Sequence, residues 1–279
     1  MISGTTTLIA HIGYPTEAFK APLIYNPWFE QQGIDAIVVP MSCKAEDYPG
    51  FLRSLFQLTN IRDALITMPH KVSTVALADD VSTAVKIAGS CNALLKRPDG
   101  TLLGDMFDGA GFTRGLARKG FAFTGAKCLV VGAGGVGSAI AASLAARGVA
   151  SMALFDTEGA AAESLASRLH RHYPELDVAV RASDPAGYNL VVNATPLGMK
   201  EGDPLPFDVT RLTASTFVGE VVMKREITPL LQAAQARGCQ TQVGTDMLFE
   251  MIPAYLELFG FGTATPDELR AVASLACPQ

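Results

Sequence analysis

The sequence predicts an α/β fold of two domains. Three observations carry this. The first hundred residues alternate short apolar runs with helical patterns. A glycine-rich turn, Gly132-Ala133-Gly134-Gly135-Val136-Gly137, sits between an apolar run and an Ala-rich segment in mid-chain. A tail from Met247 to Phe259 has Leu and Met at helical spacing.

The mid-chain turn is the strongest of the three. Leu129-Val130-Val131 suits one buried parallel strand, and Gly132, Gly134 and Gly137 follow in the order G-x-G-x-x-G. These glycines allow a tight turn, close approach of backbone to a pyrophosphate, and close helix–strand packing. Ala139 to Arg147 reads as the helix whose N-terminus faces the phosphates, with Gly148 placed to end it. A second strand, Ser151 to Phe155, stops at Asp156. A lone G-x-G-x-x-G could be a plain turn. Framed by strand, helix, strand and a terminal acid, it marks a dinucleotide-binding Rossmann domain. Asp156 can accept hydrogen bonds from the ribose hydroxyls and would repel a 2′-phosphate. At ~4 Å and an effective dielectric of ~20 to ~80, that repulsion is roughly 1–4 kcal/mol. Thr157 and Glu158 follow, with no Arg to receive a phosphate. The expected cofactor is therefore NAD rather than NADP.

The remaining elements follow from local signals. Thr6 to Ile12 reads as a first strand, running into Gly13-Tyr14-Pro15. Pro22 can open a helix that reaches Gln32 and closes at Gly33. Asp35 to Val39 is a second strand ended by Pro40, Asp47 to Leu58 a helix, Ala64 to Thr67 a third strand, and His70 to Ala78 a short helix. Cys91 to Lys96 and Thr101 to Leu103 form a hairpin across Arg97-Pro98-Asp99-Gly100. Asp108-Gly109-Ala110-Gly111 starts a helix leading into the nucleotide domain. Beyond Asp156 come a helix (Ala160 to His172), strands at Asp177–Val180, Asn189–Asn193 and Thr216–Val222, and a helix from Thr228 to Arg237 capped by Gly238. The nucleotide sheet then counts as complete, so the tail is expected to pack on the first domain. The predicted division is 1–107 plus 241–279 for a substrate-binding catalytic domain and 108–240 for the NAD-binding domain.

Composition limits the alternatives. The chain has 279 residues, is 49% hydrophobic and 18% charged, and carries a net charge of −5. It can bury real cores, and with no basic patch it is not expected to bind nucleic acid. Cys43, Cys91, Cys128, Cys239 and Cys277 are widely spaced, with no C-x-x-C. They read as free thiols of a reducing, cytoplasmic protein. No signal peptide is legible. The uncharged stretch 128–146 is long enough to suggest a membrane span, but its glycines and serines assign it to the nucleotide loop. No metal site is expected, because no Cys/His spacing suits zinc.

Because the nucleotide unit begins near residue 127, a separate domain must come first and supply an acid/base group. No Tyr-x-x-x-Lys pair offers another route. Lys71, in Thr67-Met68-Pro69-His70-Lys71, follows a strand end, where ligands meet α/β sheets. A lysine in a dry cleft can shuttle a proton. It reads equally well as a solvated helix residue. Asp108 stands between the two domains in sequence, where a carboxylate could hold the lysine. His70 reads as structural, and His11, His170 and His172 as strand or surface histidines.

At these residues the chain resembles the shikimate dehydrogenase family over nearly its whole length. The matching pieces are Gly13-Tyr14-Pro15 with Pro22, Thr67 to Lys71, Gly89-Ser90-Cys91-Asn92-Ala93-Leu94, Gly104-Asp105-Met106-Phe107-Asp108-Gly109 and the glycine loop. Further on come Asn193-Ala194-Thr195-Pro196-Leu197-Gly198-Met199, Thr228-Pro229-Leu230-Leu231 and Met247-Leu248. The resemblance implies that Lys71 and Asp108 are the catalytic pair and that Thr67 and Asn92 contact ring hydroxyls. It implies that Gly132, Gly134, Gly135, Val136, Gly137, Asp156, Asn193, Ala194, Thr195 and Met247 hold the cofactor, with Met247 over the nicotinamide. It implies reversible hydride transfer between NAD and a cyclic secondary alcohol, shikimate- or quinate-like, as in aromatic amino acid biosynthesis. Family members occur as monomers and homodimers.

The chain departs from the family at the substrate carboxylate. Where the family has Ser-x-Ser-Pro, this chain has Phe19-Lys20-Ala21-Pro22. A family Tyr matches Met223, and a family Gln matches Met251. Hydrogen bonds to a charged group are worth roughly 1.5–3 kcal/mol each. The substrate-binding candidates Phe19, Ala21, Met223 and Met251 therefore point to a ring alcohol with an altered or missing carboxylate. Rescue of the carboxylate by Lys20, Lys224 or a backbone donor stays open, as does a non-catalytic NAD-binding regulatory role.

Overall fold

The computed structural model describes residues 2–17 and 19–274, and Cys277 lies outside them. The chain forms two compact units. The first gathers the described residues up to Val85, then Gly89–Phe107 and the chain from Ile252 onward. The second gathers Lys86–Ala88 and Asp108–Met251.

The first unit contains β1 (Thr7–Gly13), α1 (Pro22–Gln32), β2 (Ala36–Ser42), α2 (Tyr48–Leu55), β3 (Ile61–Ile66), β4 (Asp80–Val81), the first half of the short helix α3 (Thr83–Ala88), β5 (Ala93–Lys96) and β6 (Leu102–Asp105). The sheet order is β2-β1-β3-β5-β6-β4. β1 is parallel to β2 and β3, while β5 runs antiparallel to β3 and β6. The predicted α1 is observed to the residue, with Pro22 in its first turn and Gly33 at φ 65° as its cap. It buries Ile24, Tyr25, Trp28 and Phe29. Pro40 does not end β2, as the sequence suggested. It lies inside the strand, where β2 is at the sheet edge and one row of donors is unused. The predicted helix at 70–78 is only a 3₁₀ turn, Ser73–Ala76.

The second unit contains α4 (Asp108–Arg118), β7 (Lys127–Val131), α5 (Gly135–Ala146), β8 (Ser151–Phe155), α6 (Gly159–His172), β9 (Asp177–Val180), β10 (Leu190–Asn193), β11 (Phe217–Glu220), α7 (Pro229–Ala236), β12 (Gln240–Gln242) and the start of α8 (Gly244–Phe259). All six strands are parallel, in the order β12-β11-β10-β7-β8-β9. That is the doubly wound order, with its switch point between β7 and β10. The sheet therefore was not complete at β11. β12 pairs with β11, so the boundary predicted at residue 241 falls instead after Met251. Met247–Met251 of the tail belong with the second unit, whereas the rest of α8 and α9 (Pro266–Val272) belong with the first. There the Phe261 ring lies 5.1 Å from Phe29, and the Ser274 N–H donates to Leu23 O at 2.9 Å. No helix among the described residues is long and apolar enough to cross a membrane.

Candidate functional site

In the first unit, the C-terminal ends of β1 and β3 bring together Thr67 and Phe19, two of the six residues predicted for substrate; Met223 and Met251 lie in the second unit. The Thr67 N–H donates to Ile12 O (2.9 Å), and the Tyr14 N–H donates to Met68 O (3.0 Å), so the two strand ends are tied to each other. Gly13 is required here. A Cβ on it would lie 2.5 Å from Thr67 Cγ2, 2.7 Å from Phe19 Cζ and 2.8 Å from Met68 O. Thr67 and Phe19 are half-buried side by side over this glycine.

The segment carrying Lys71 is anchored from three sides. The His70 N–H donates to Thr67 O at 2.9 Å, and Lys71 O accepts from the Cys91 N–H at 2.8 Å. The buried His70 ring stacks on Tyr48 (centroids 3.9 Å) and places Nε2 2.8 Å from Cys43 O. His70 is thus a structural residue, as predicted. Burial lowers its pKa, with the Cys43 carbonyl acting the other way. Lys71 itself is half-buried. Asn92 is buried: its Oδ1 accepts from the Phe107 N–H (2.9 Å), and its carbonyl accepts from the Ile66 N–H (2.8 Å) and the Tyr255 hydroxyl (3.2 Å). Ala21 stands just before α1 and offers no side-chain cap to it.

His11 was not expected at this place. It lies two residues before Gly13 on β1, so both face the same side of the sheet. The Phe19 ring stacks on it, with centroids 4.0 Å apart and planes 28° apart. Burial and the charge of Lys71 lower its pKa to about 4. The Lys71 charge therefore acts within this cluster.

In the second unit, the glycine loop has the geometry its motif requires. Gly132 has φ 105°, and a Cβ there would sit 2.8 Å from the Ala194 carbonyl. A Cβ on Gly137 would lie 1.9 Å from Gly132 O. A Cβ on Gly134 would meet nothing within 4 Å, so the space over that residue is open to a ligand. Gly134 precedes α5, whose first turn, Gly135 and Val136 included, carries no acid and no side-chain cap. Its free N–H groups suit an anion. These features fit the pyrophosphate of a dinucleotide.

Asp156 is half-buried at the end of β8. Its Oδ2 accepts from the Ala133 N–H (2.6 Å) and its Oδ1 from the Glu158 N–H (2.9 Å). It braces the glycine loop as well as ending the strand. An ionised carboxylate has about four acceptor sites, so ribose hydroxyls still have a place on it.

At the switch point, Asn193 is fully buried. Its Oδ1 accepts from Thr195 Oγ1 (2.7 Å) and the Thr195 N–H (3.1 Å), and its Nδ2 donates to Leu197 O (3.0 Å). The Ala194 N–H donates to Val131 O (2.8 Å). Met247 is buried in one apolar cluster with Ala133, and Val136, Ala194 and Met223 pack against that cluster. Met251 is half-buried, its backbone close against Gly111 of α4.

Asp108 is buried at the first turn of α4, a position that favours a carboxylate. The glycines after it have a packing reason. A Cβ on Gly109 would lie 2.0 Å from Ala139 O, and one on Gly111 2.6 Å from Met247 O.

Glu220 was also not singled out from the sequence. It ends β11 in register with Asn193, is fully buried, and accepts from Thr228 Oγ1 at 2.9 Å. Burial pushes its pKa up to about 7, while hydrogen bonds from Thr228 and Asn193 pull the other way. Its signal in sequence was an acid closing an apolar strand, the same signal that marked Asp156.

A doubly wound sheet with this glycine loop, joined in one chain to an α/β unit with a lysine at a strand end, defines a nicotinamide-dinucleotide oxidoreductase. The family model for the shikimate dehydrogenase substrate binding domain matches residues 11–94. A shikimate dehydrogenase (NADP(+)) of Paramagnetospirillum magneticum is 32% identical over 274 residues, covering 97% of this chain and 99% of that protein. A shikimate 5-dehydrogenase of Listeria monocytogenes, solved with shikimate and NAD, superposes with a TM-score of 0.91 at 26% identity, over 97% of each chain. A quinate dehydrogenase of Corynebacterium glutamicum, solved with NAD, gives a TM-score of 0.85 at 27% identity, over 96% of this chain and 98% of its own. The chain belongs to the shikimate dehydrogenase family.

Proposed function

We propose that this protein is an NAD-dependent dehydrogenase that interconverts a cyclic secondary alcohol and its ketone. The observation that carries the coenzyme choice is Asp156, held at the end of β8 by the Ala133 and Glu158 N–H groups. A carboxylate fixed there accepts ribose hydroxyls and repels a 2′-phosphate. The structures solved with NAD in Listeria monocytogenes and Corynebacterium glutamicum support this reading, although curated relatives are named for NADP. When bound, the nicotinamide supplies the hydride acceptor.

The chain's own groups do the rest. Lys71 takes the hydroxyl proton at its Nζ as the alcohol carbon loses hydride, and returns it in the reverse direction. Asp108 holds that ammonium. Thr67 and Asn92 orient the ring hydroxyls. Gly132, Gly134, Gly135, Val136 and Gly137 receive the pyrophosphate, Asn193-Ala194-Thr195 line the coenzyme, and Met247 bounds the nicotinamide end.

A shikimate- or quinate-like ring is the substrate class the family supports. Phe19, Ala21, Met223 and Met251 favour a second reading, in which the ring lacks the carboxylate. The test is a panel of cyclic secondary alcohols with NAD and with NADP, followed at the absorbance of the reduced coenzyme. Turnover with NAD well above that with NADP is expected. Tight NAD binding with no turnover of any alcohol would favour a regulatory protein instead.

A further inference from the structure

We infer that the stacked pair His11–Phe19 fills the subsite where an acidic substrate group would sit, so that the ring bound beside Thr67 and Lys71 is an uncharged polyol. This inference deepens the proposed dehydrogenase function and rests on the first unit being the substrate site.

The argument is one of volume and charge. His11 and Gly13 point to the same face of β1, and Phe19 lies across both. One side of the Phe19 ring is against the imidazole, and its tip is against Gly13 and close to Thr67. The ring therefore borders the very residue expected to bind a ring hydroxyl. Phe19 and Ala21 give this turn no side-chain hydroxyl to receive an acid.

His11 does not compensate. It is only 9% exposed, its Nδ1 is buried with no hydrogen-bond partner, and it is neutral at physiological pH because its pKa is lowered to about 4. An unpartnered buried nitrogen is costly, and its retention needs a reason. The stack supplies one. The imidazole is the flat partner that holds Phe19 in place, and aromatic pairs of this kind add attraction beyond area burial. A carboxylate against this wall would lose water and gain no donor from Phe19 or Ala21. A hydroxylated ring without charge can lay its C–H face on Phe19 and keep its hydroxyls on Thr67.

The test compares kcat/KM for quinate and shikimate with that for cyclohexanediols and inositols, using the NAD-loaded full chain. The wild type is expected to prefer the uncharged rings by about tenfold or more. Phe19→Ser/Ala21→Ser restores both hydroxyls and should move this preference about tenfold or more toward the acids. His11→Val frees Phe19 from its stack and should move it the same way by less. Phe19→Leu keeps bulk without the flat ring. It should raise KM for uncharged rings while leaving kcat nearly unchanged and the acids still excluded. A wild-type preference for quinate or shikimate overturns the inference but leaves the dehydrogenase reading intact. So does a preference that none of the three variants shifts. No turnover of any alcohol defeats the dehydrogenase reading, and this inference falls with it.

Discussion

Glu220→Gln should make the protein more stable above neutral pH and change little in mild acid. Glu220 is fully buried at the end of β11, with Thr228 Oγ1 as donor to Oε2 at 2.9 Å. Burial raises its pKa from 4.5 to about 7. Below the unfolded value both states hold the proton, and the group costs nothing. As pH climbs from about 4.5 to about 7, the unfolded chain ionises while the native carboxyl stays protonated, so native stability falls. A span of ~2.5 pH units at ~1.4 kcal/mol each gives a loss of roughly 3 kcal/mol, complete above about pH 7. Glutamine removes the ionisation, keeps an acceptor for Thr228 and has the same shape. Urea unfolding of both proteins, at about pH 5 and about pH 8, reads the difference. The variant should exceed the wild type by under ~1 kcal/mol at the lower pH and by roughly 2–3 kcal/mol at the higher. Asp63, also buried and raised to about 6, is present in both proteins and cancels. A gap of the same size at both pH values would refute the reasoning.

Three further outcomes are expected. Asp156→Asn keeps an acceptor for the Ala133 N–H but removes the charge, so calorimetric Kd values for NAD and NADP should converge by about fivefold or more. Gly137→Ala drives a Cβ into the Gly132 carbonyl and should cost more than ~2 kcal/mol of stability in urea unfolding. Gly134→Ala meets no protein atom within 4 Å, so its stability should stay within ~0.5 kcal/mol of wild type while NAD affinity drops about tenfold or more.

Much of the fold was legible because its signals are local. Pro22 and Gly33 bound α1, and Asp156 ended β8, as the residues suggested. The glycine loop was legible for the same reason, since Gly132 and Gly137 each answer a contact only a few ångströms away. What escaped depends on pairing between distant segments. β12 is only three residues, Gln240–Gln242, with no apolar run, and exists because β11 offers it an edge. Pro40 looked like a strand end, yet a sheet edge tolerates it. The candidate site shows the same limit. Lys71 and Asp108 came forward through motif position, but His11 read as an ordinary strand histidine. Its meaning comes from Phe19, eight positions later, folding back over it. Glu220 gained meaning only through its register with Asn193 and the reach of Thr228.

The central claim is that Lys71 moves the proton while NAD takes the hydride. The most direct measurement is kcat for Lys71→Ala with the best alcohol found, alongside the calorimetric Kd for NAD. The account predicts kcat lower by about 10²–10⁴ with the Kd nearly unchanged. A loss of less than about tenfold would contradict it.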